Sequence, residues 1–211
     1  MPVRRKVGNL LGLAVLTVLV DRPMHPYEMA TVIRARGKDQ DMEIKWGSLY
    51  RVVQNLERHG FVEAAGSERA GARPERTVYR LTPAGRAELE DWARDLVAVP
   101  EPEHPRFEAG LSVLAILDPD EAAGLLRARA ALVERRLAAQ RAELAHDRGE
   151  TPRLFLLERE YDLAVGQAEL DWTRALLAEL LDGTFPDLPL WRSLHPPPSP
   201  PHPGGRDGRH R

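Results

Sequence analysis

The 211-residue sequence predicts a mainly α fold with one small β-hairpin, and three observations carry that reading. Apolar residues recur at three- and four-residue steps through most of the chain. Residues 46–81 break that period with two short extended runs, 61–65 and 77–81, joined by a long basic loop. From residue 106 to about 181 the pattern is wholly helical again. Helix, tight turn, strand, basic loop and strand, in that order, set a polar helix face beside an arginine-bearing hairpin, which is the layout of a winged helix. The expected architecture is an N-terminal winged helix-turn-helix followed by a C-terminal helical dimerisation domain.

Each element has a local cause. Leu10, Leu11, Ala14, Val15, Val18 and Leu19 form one helical stripe, and Pro23 and Pro26 punctuate its end. A second helix is expected over 27–36, with Met29, Ala30 and Ile33 facing inward and Gly37 as its stop. The third, over 47–59, has Leu49, Val52, Val53 and Leu56 on its apolar side and Ser48, Arg51, Gln54, Asn55 and Arg58 opposite, with Gly60 at its end. Between the two strands, a connection of about ten residues carries Gly66, Gly71, Pro74 and three arginines, longer than hairpin loops usually are. Thr82-Pro83 suits a helix start, threonine as cap and proline at the first helical position. Leu89, Trp92, Leu96 and Val99 run down that fourth helix as its stripe.

Three prolines at 100, 102 and 105 mark the boundary between a DNA-binding domain at 1–99 and a helical dimerisation and effector domain at 100–183. A short apolar helix is expected over 107–117, then an acidic helix start at Asp118-Pro119-Asp120-Glu121 suited to the helix dipole. The helix that follows places Leu126, Ala130, Val133, Leu137 and Leu144 near a heptad seam. Thr151-Pro152 opens a last long helix, whose inward stripe is read as Leu157, Tyr161, Ala164, Ala168, Trp172 and Ala175. Such a pair cannot bury both seams alone, so self-association is expected. Residues 184–211, rich in proline and glycine towards the end, are read as a disordered tail.

Composition bounds the function. Cysteine is absent, which removes disulfides, thiol nucleophiles and cysteine metal sites and suits a cytoplasmic protein. The seven histidines never pair at the spacing of metal ligands and read as surface or capping residues, so no metal and no cofactor is expected. Arg4, Arg5 and Lys6 before the apolar run 10–20 imitate a signal peptide, but Asp-Arg-Pro-Met-His follows without a small-residue cleavage site, and the run is too short to span a membrane. No Gly-rich phosphate loop, nucleophile with a neighbouring base, or cluster of acids is present, so an enzyme ranks last. Residues 1–82 hold 14 basic and 9 acidic groups (+5), and residues 83–211 hold 16 and 23 (−7), together the net −2. A positive front part is what a polyanion partner requires.

The front half resembles the PadR family of bacterial transcriptional regulators. GSLYRVVQNLERHGFVEA is similar to that family's recognition-helix segment, RPERTVYRLTPAGR to its wing and the helix entry after it, and HPYEMATVI to the opening of its second helix. The similarity runs in continuous order over about residues 8–98, and FEAGLSVLAILDPDEAAGLLRARAALVERRL resembles the longer C-terminal domain of one subgroup. The resemblance implies a homodimer on palindromic double-stranded operator DNA, usually a repressor, often released by a small molecule. Helix three would then enter the major groove, with Gln54 or Asn55 able to pair with adenine and Arg51 with guanine. Ser48 and Tyr50 would meet phosphate near the helix start, and Tyr27 joins this set. Tyr50 holds the family's Ser-Leu-Tyr position, but Arg51 stands where a proline often follows. Arg69, Arg73 and Arg76 would lie on or beside the wing, reaching phosphates or the minor groove.

Each of these has a plainer rival. Tyr27, Trp46 and Tyr50 also suit packing between helices, and Arg58 beside Glu57 suits a solvated charge. For a small apolar or aromatic effector the candidates are Trp92, Tyr161 and Trp172, whose helical stripes equally suit core positions. A protein-interaction or assembly module built on the same winged helix is the alternative function, and it predicts no salt-sensitive DNA affinity.

Overall fold

The computed structural model describes residues 5–38, 42, 46–68 and 76–196. Its described elements are α1 (Leu10–Val18), α2 (Pro26–Ala35), α3 (Leu49–Arg58), β1 (Val62–Glu68), β2 (Arg76–Leu81), α4 (Pro83–Ala98), α5 (Arg106–Ser112), α6 (Pro119–Asp147), α7 (Leu157–Asp182) and α8 (Leu188–Ser193). Contacts divide the chain into two units, 1–102 and 103–211.

In the first unit α1 is apolar almost all round, and it is buried almost all round: Leu11, Leu13, Ala14, Val15, Leu16 and Val18 are all covered, more than the single stripe expected. Asn9 caps it by accepting the Leu11 N–H at 2.9 Å. Met29, Ala30 and Ile33 of α2 and Leu49, Val52, Val53 and Leu56 of α3 close the core against it, as their periods predict. Gly37 follows α2 with φ of 68°. The strands pair antiparallel, and Met24 adds a two-bond bridge to Tyr79, each backbone N–H donating to the other's carbonyl at 3.0 Å.

Both strands are longer than expected, so Gly66 lies inside β1 and not in the connection. It sits at a bulge between Ala64 and Gly66 with φ of 133°, a conformation open to glycine because no Cβ obstructs it. The connection contracts to 69–75, which lies outside the described residues.

Thr82 starts α4 in the expected way and also ties it to the α3–β1 turn. Its Oγ1 accepts the Gly85 N–H at 3.0 Å and donates to the Gly60 carbonyl at 2.6 Å. Thr82→Ala should cost about 1–2 kcal/mol, read as a shift in the denaturant midpoint at constant slope; an unchanged midpoint would show that water replaces the cap. On α4 itself Trp92 is buried and Leu89 half-buried, whereas Leu96 and Val99 are exposed, so the stripe holds for its first two members only.

In the second unit α6 and α7 form an antiparallel hairpin. Leu126, Ala130, Val133, Leu137 and Leu144 of α6 are buried as the seam predicts. The stripe expected on α7 is corrected: Leu157, Tyr161, Ala164, Ala168, Trp172 and Ala175 are exposed, and Gly166, Leu170, Thr173 and Leu180 face inward instead. The small Gly166 and Thr173 let α6 approach closely, whereas Tyr and Trp at those heights would hold the helices apart.

The expected disorder of 184–211 is corrected for its first part. Residues 188–193 form α8, with Leu188 and Trp191 buried against Ala122, Ala123, Leu126 and Leu180. Trp191 Nε1 donates to the Leu117 carbonyl at 2.8 Å, which satisfies its polar atom inside an apolar cluster. Residues 197–211 lie outside the described residues. Among the described residues no helix is long and apolar enough to cross a membrane.

Candidate nucleic-acid interface

Helix α3 is amphipathic in the strict sense, because the four residues that anchor it are consecutive members of one 3.6-residue stripe. That anchoring leaves Tyr50, Arg51, Gln54 and Arg58 exposed and Ser48 and Asn55 half-buried on the outward side. A 3₁₀ turn, Trp46–Ser48, leads into the helix. Trp46 is half-buried against the core, and the Arg34 guanidinium lies 4.1 Å from its ring centre, so a cation–π contact joins the end of α2 to the entry of α3.

Tyr27 and Tyr50 are 68% and 59% exposed, so the packing reading for them gives way to an outward one. They stand on neighbouring helices near His25, whose ring meets that of Tyr50 edge-on at 6.4 Å. His25 caps α2 by accepting the Tyr27 N–H at Nδ1 over 3.1 Å, a capping role of the kind expected for the histidines. The bond leaves the proton of the neutral ring on Nε2. The α2 and α3 N-termini thus present two phenol rings and the polar stripe of α3 together.

On the hairpin, Arg80 pairs with Glu63 across the strands at 2.7 Å, an exposed pair that contributes little to stability. Tyr79 is half-buried between Met24 and α3, and burial pushes its hydroxyl above the ordinary value, with the Glu57 carboxylate adding to the effect. It stays a neutral donor throughout the physiological range. Arg76 opens β2 in register with Glu68; Arg69 and Arg73 lie outside the described residues.

The three effector candidates fall in different units. Trp92 belongs to the first unit, where Arg5 lies 5.5 Å from its ring centre and itself pairs with Glu88 at 2.9 Å and with Asp95. Tyr161 and Trp172 belong to the second unit, on the outward side of α7, with Phe107 edge-on to Trp172 at 6.1 Å. A groove of about 290 Å³ in the second unit is lined by other residues, among them Leu111, Leu114, Phe185 and Trp191. Arg5 and Arg34 carry no sequence signal for their roles, since their partners are set only by folding. Among the described residues, no group of three or more His, Asp or Glu side chains is placed to hold a metal ion.

Residues 15–91 match the model of the transcriptional regulator PadR-like family. Residues 15–91 are a PadR-like domain. It runs from the middle of α1 into α4 and so takes in α2, α3 and both strands. Among solved structures, PadR of Bacillus subtilis in complex with operator DNA is similar at a TM-score of 0.68 and 19% identity, covering 85% of this chain and 99% of that one. The same protein in complex with p-coumaric acid gives 0.65 and 19%, covering 81% and 98%. The Vibrio cholerae virulence activator AphA gives 0.57 and 21%, covering 82% and 98%. These likenesses extend the shared fold beyond the PadR-like domain into the helical unit. No curated protein matches.

Proposed function

We propose that this chain is a cytoplasmic, sequence-specific DNA-binding regulator that acts as a homodimeric repressor at a palindromic operator. The observation that carries the reading is the outward face of α3, where Arg51 and Gln54 stand exposed over a fully buried stripe, beside the tyrosines of the α2 and α3 N-termini. Arg51 and Gln54 read base edges, Asn55 shares that face, and Ser48, Tyr27 and Tyr50 meet phosphates. Arg69, Arg73 and Arg76 extend the contact along the wing. The positive balance of residues 1–82 supports the same surface. Bound at a promoter, the dimer would exclude polymerase. A small apolar or aromatic effector would release it by favouring a spacing of the two recognition helices other than the roughly 34 Å of one DNA turn.

Fluorescence anisotropy on the intergenic DNA upstream of the protein's own gene and on a shuffled control, across a salt series, tests this. The expected result is tighter binding to the native fragment, with log affinity falling linearly in log salt. Absence of binding to both at low salt would overturn the reading in favour of a protein-interaction module. Arg51→Ala and Gln54→Ala should each weaken specific binding by about 1–3 kcal/mol and leave binding to random DNA nearly unchanged. Equal losses on both DNAs would reassign the two residues to phosphate contact.

A further inference from the structure

Among the described helices of the first unit, α1, α2 and α4 each begin on a side-chain cap, given by Asn9, His25 and Thr82, and α3 begins without one. Ser48 stands in the cap position and makes no side-chain cap bond. Gly47 before it is exposed, and a Cβ there would meet nothing within 4 Å, so this residue does not seat the turn either. The buried stripe of α3 fixes which face turns inward, but a stripe tolerates sliding and tilting at the end where it starts. What holds the entry is Trp46. Its ring is half-buried against the core, and the Arg34 guanidinium lies over it at 4.1 Å from the ring centre. Arg34 stands in the last turn of α2 and is exposed, so one side chain links the end of α2 to the start of α3 from the solvent side.

We infer that Arg34 is a positioning residue for base reading: through Trp46 it sets where α3 starts, and so governs discrimination between DNA sequences without touching DNA. The inference rests on α3 being the DNA-reading helix, as proposed above. Arg51 and Gln54 follow Trp46 by five and eight residues, so about 8 and 12 Å of helix separate them from the stack. A shift at the entry therefore reaches both almost undiminished. Hydrogen bonds to base edges hold only over a few tenths of an ångström around about 2.9 Å. Attraction to phosphates instead decays over a Debye length of about 8–10 Å. Displacing the start of α3 by about 1 Å thus removes base contacts and leaves the phosphate attraction nearly intact. Specificity is lost before affinity for random DNA. Arginine suits the task, because its flat guanidinium stacks on an aromatic face and its charge favours the C-terminal end of α2. Arg36, two residues on, offers a comparison: it carries the same charge at the same helix end but pairs with Asp21.

The test uses the full chain and two DNAs, the duplex that the wild type enriches from a random library and a shuffled version of it, across a salt series. Arg34→Ala and Trp46→Leu should each weaken binding to the enriched duplex about 3- to 30-fold, the range of a cation–π contact. On the shuffled duplex neither should lose more than Arg36→Ala does, and the slope of log affinity against log salt should match that of Arg36→Ala. The double variant should be no worse than either single one, since both remove the same contact. Trp46→Phe, which keeps a ring beneath the guanidinium, should recover most of the loss. Arg34 is exposed, so Arg34→Ala reports even if Trp46→Leu loosens the core. Equal losses for Arg34→Ala on both duplexes, with the salt slope reduced by about one, would make Arg34 a phosphate contact and overturn the inference. Unchanged discrimination in Arg34→Ala, or additive losses in the double variant, would overturn it as well and leave the DNA reading standing. A wild type that enriches no sequence overturns both.

Discussion

Gly85→Ala is expected to be the most damaging glycine-to-alanine change among the described residues, costing about 3 kcal/mol or more. A Cβ there would lie 1.9 Å from the Phe61 carbonyl oxygen and 2.8 Å from its carbonyl carbon. Both are backbone atoms of the turn between α3 and β1, so no side chain can rotate away to make room. The Phe61 carbonyl is also engaged, accepting the Thr82 N–H at 3.1 Å. Relief requires α4 to lift from the turn, which would break that bond and expose the contacts of Trp92 and Leu89 together. Thermal unfolding should show the first unit melting more than about 10 °C lower, given 4–8 °C per kcal/mol for a domain of its size. A drop of only a degree or two would mean that α4 and the turn separate freely, and that the close approach is not needed for stability.

Leu56→Ala should cost about 2–5 kcal/mol, because the residue is fully buried in the core shared by α1, α2 and α3. The range reflects how far the neighbours can collapse into the space. Leu56→Met, which conserves volume, should cost under about 1.5 kcal/mol. Gln54→Ala, two residues earlier on the exposed side, should change stability by no more than about 0.5 kcal/mol. Chemical denaturation of the three variants separates the faces of α3, one holding the fold and the other free for recognition. Equal losses at positions 54 and 56 would show that the outward face is packed, and would remove the surface on which DNA binding is proposed.

Much of the fold was legible in the sequence, for reasons that can be named. Leu49, Val52, Val53 and Leu56 repeat at one helical period, and all four are buried. Thr82-Pro83 announced a capped helix start, and the cap is present. The two strands and their order were readable from composition, but their ends were not. Pairing with β2 carries β1 on through Gly66 to Glu68, because ladder bonds outweigh a glycine's weak strand preference at a bulge. Helix α7 misled for a different reason. It is apolar on two faces, and the larger residues suggested the wrong one.

Of the interface proposed for DNA, the sequence identified the polar stripe of α3, whereas the cap at His25 was singled out by the structure from seven histidines read alike as surface or capping residues. It could not identify Arg34 on Trp46 or Arg5 on Trp92, since Arg5 meets Glu88 and Asp95 across 83 and 90 residues of chain. The α8 helix was hidden inside a segment that reads as tail, because six residues show no period long enough to detect.

By itself the sequence determined the helical segments other than α8, where α2 and α4 begin, the hairpin that follows α3, and the PadR-like character of its first half. These properties depend on neighbours within a few residues, through backbone bonding, capping and side-chain period. Tertiary structure alone decided which of two apolar stripes on α7 turns inward, how closely α4 sits on the Phe61 turn, and that Trp191 closes a core. Those outcomes depend on volume: Gly166, Thr173 and Gly85 matter for what fits beside them, and that is set by residues distant in the chain.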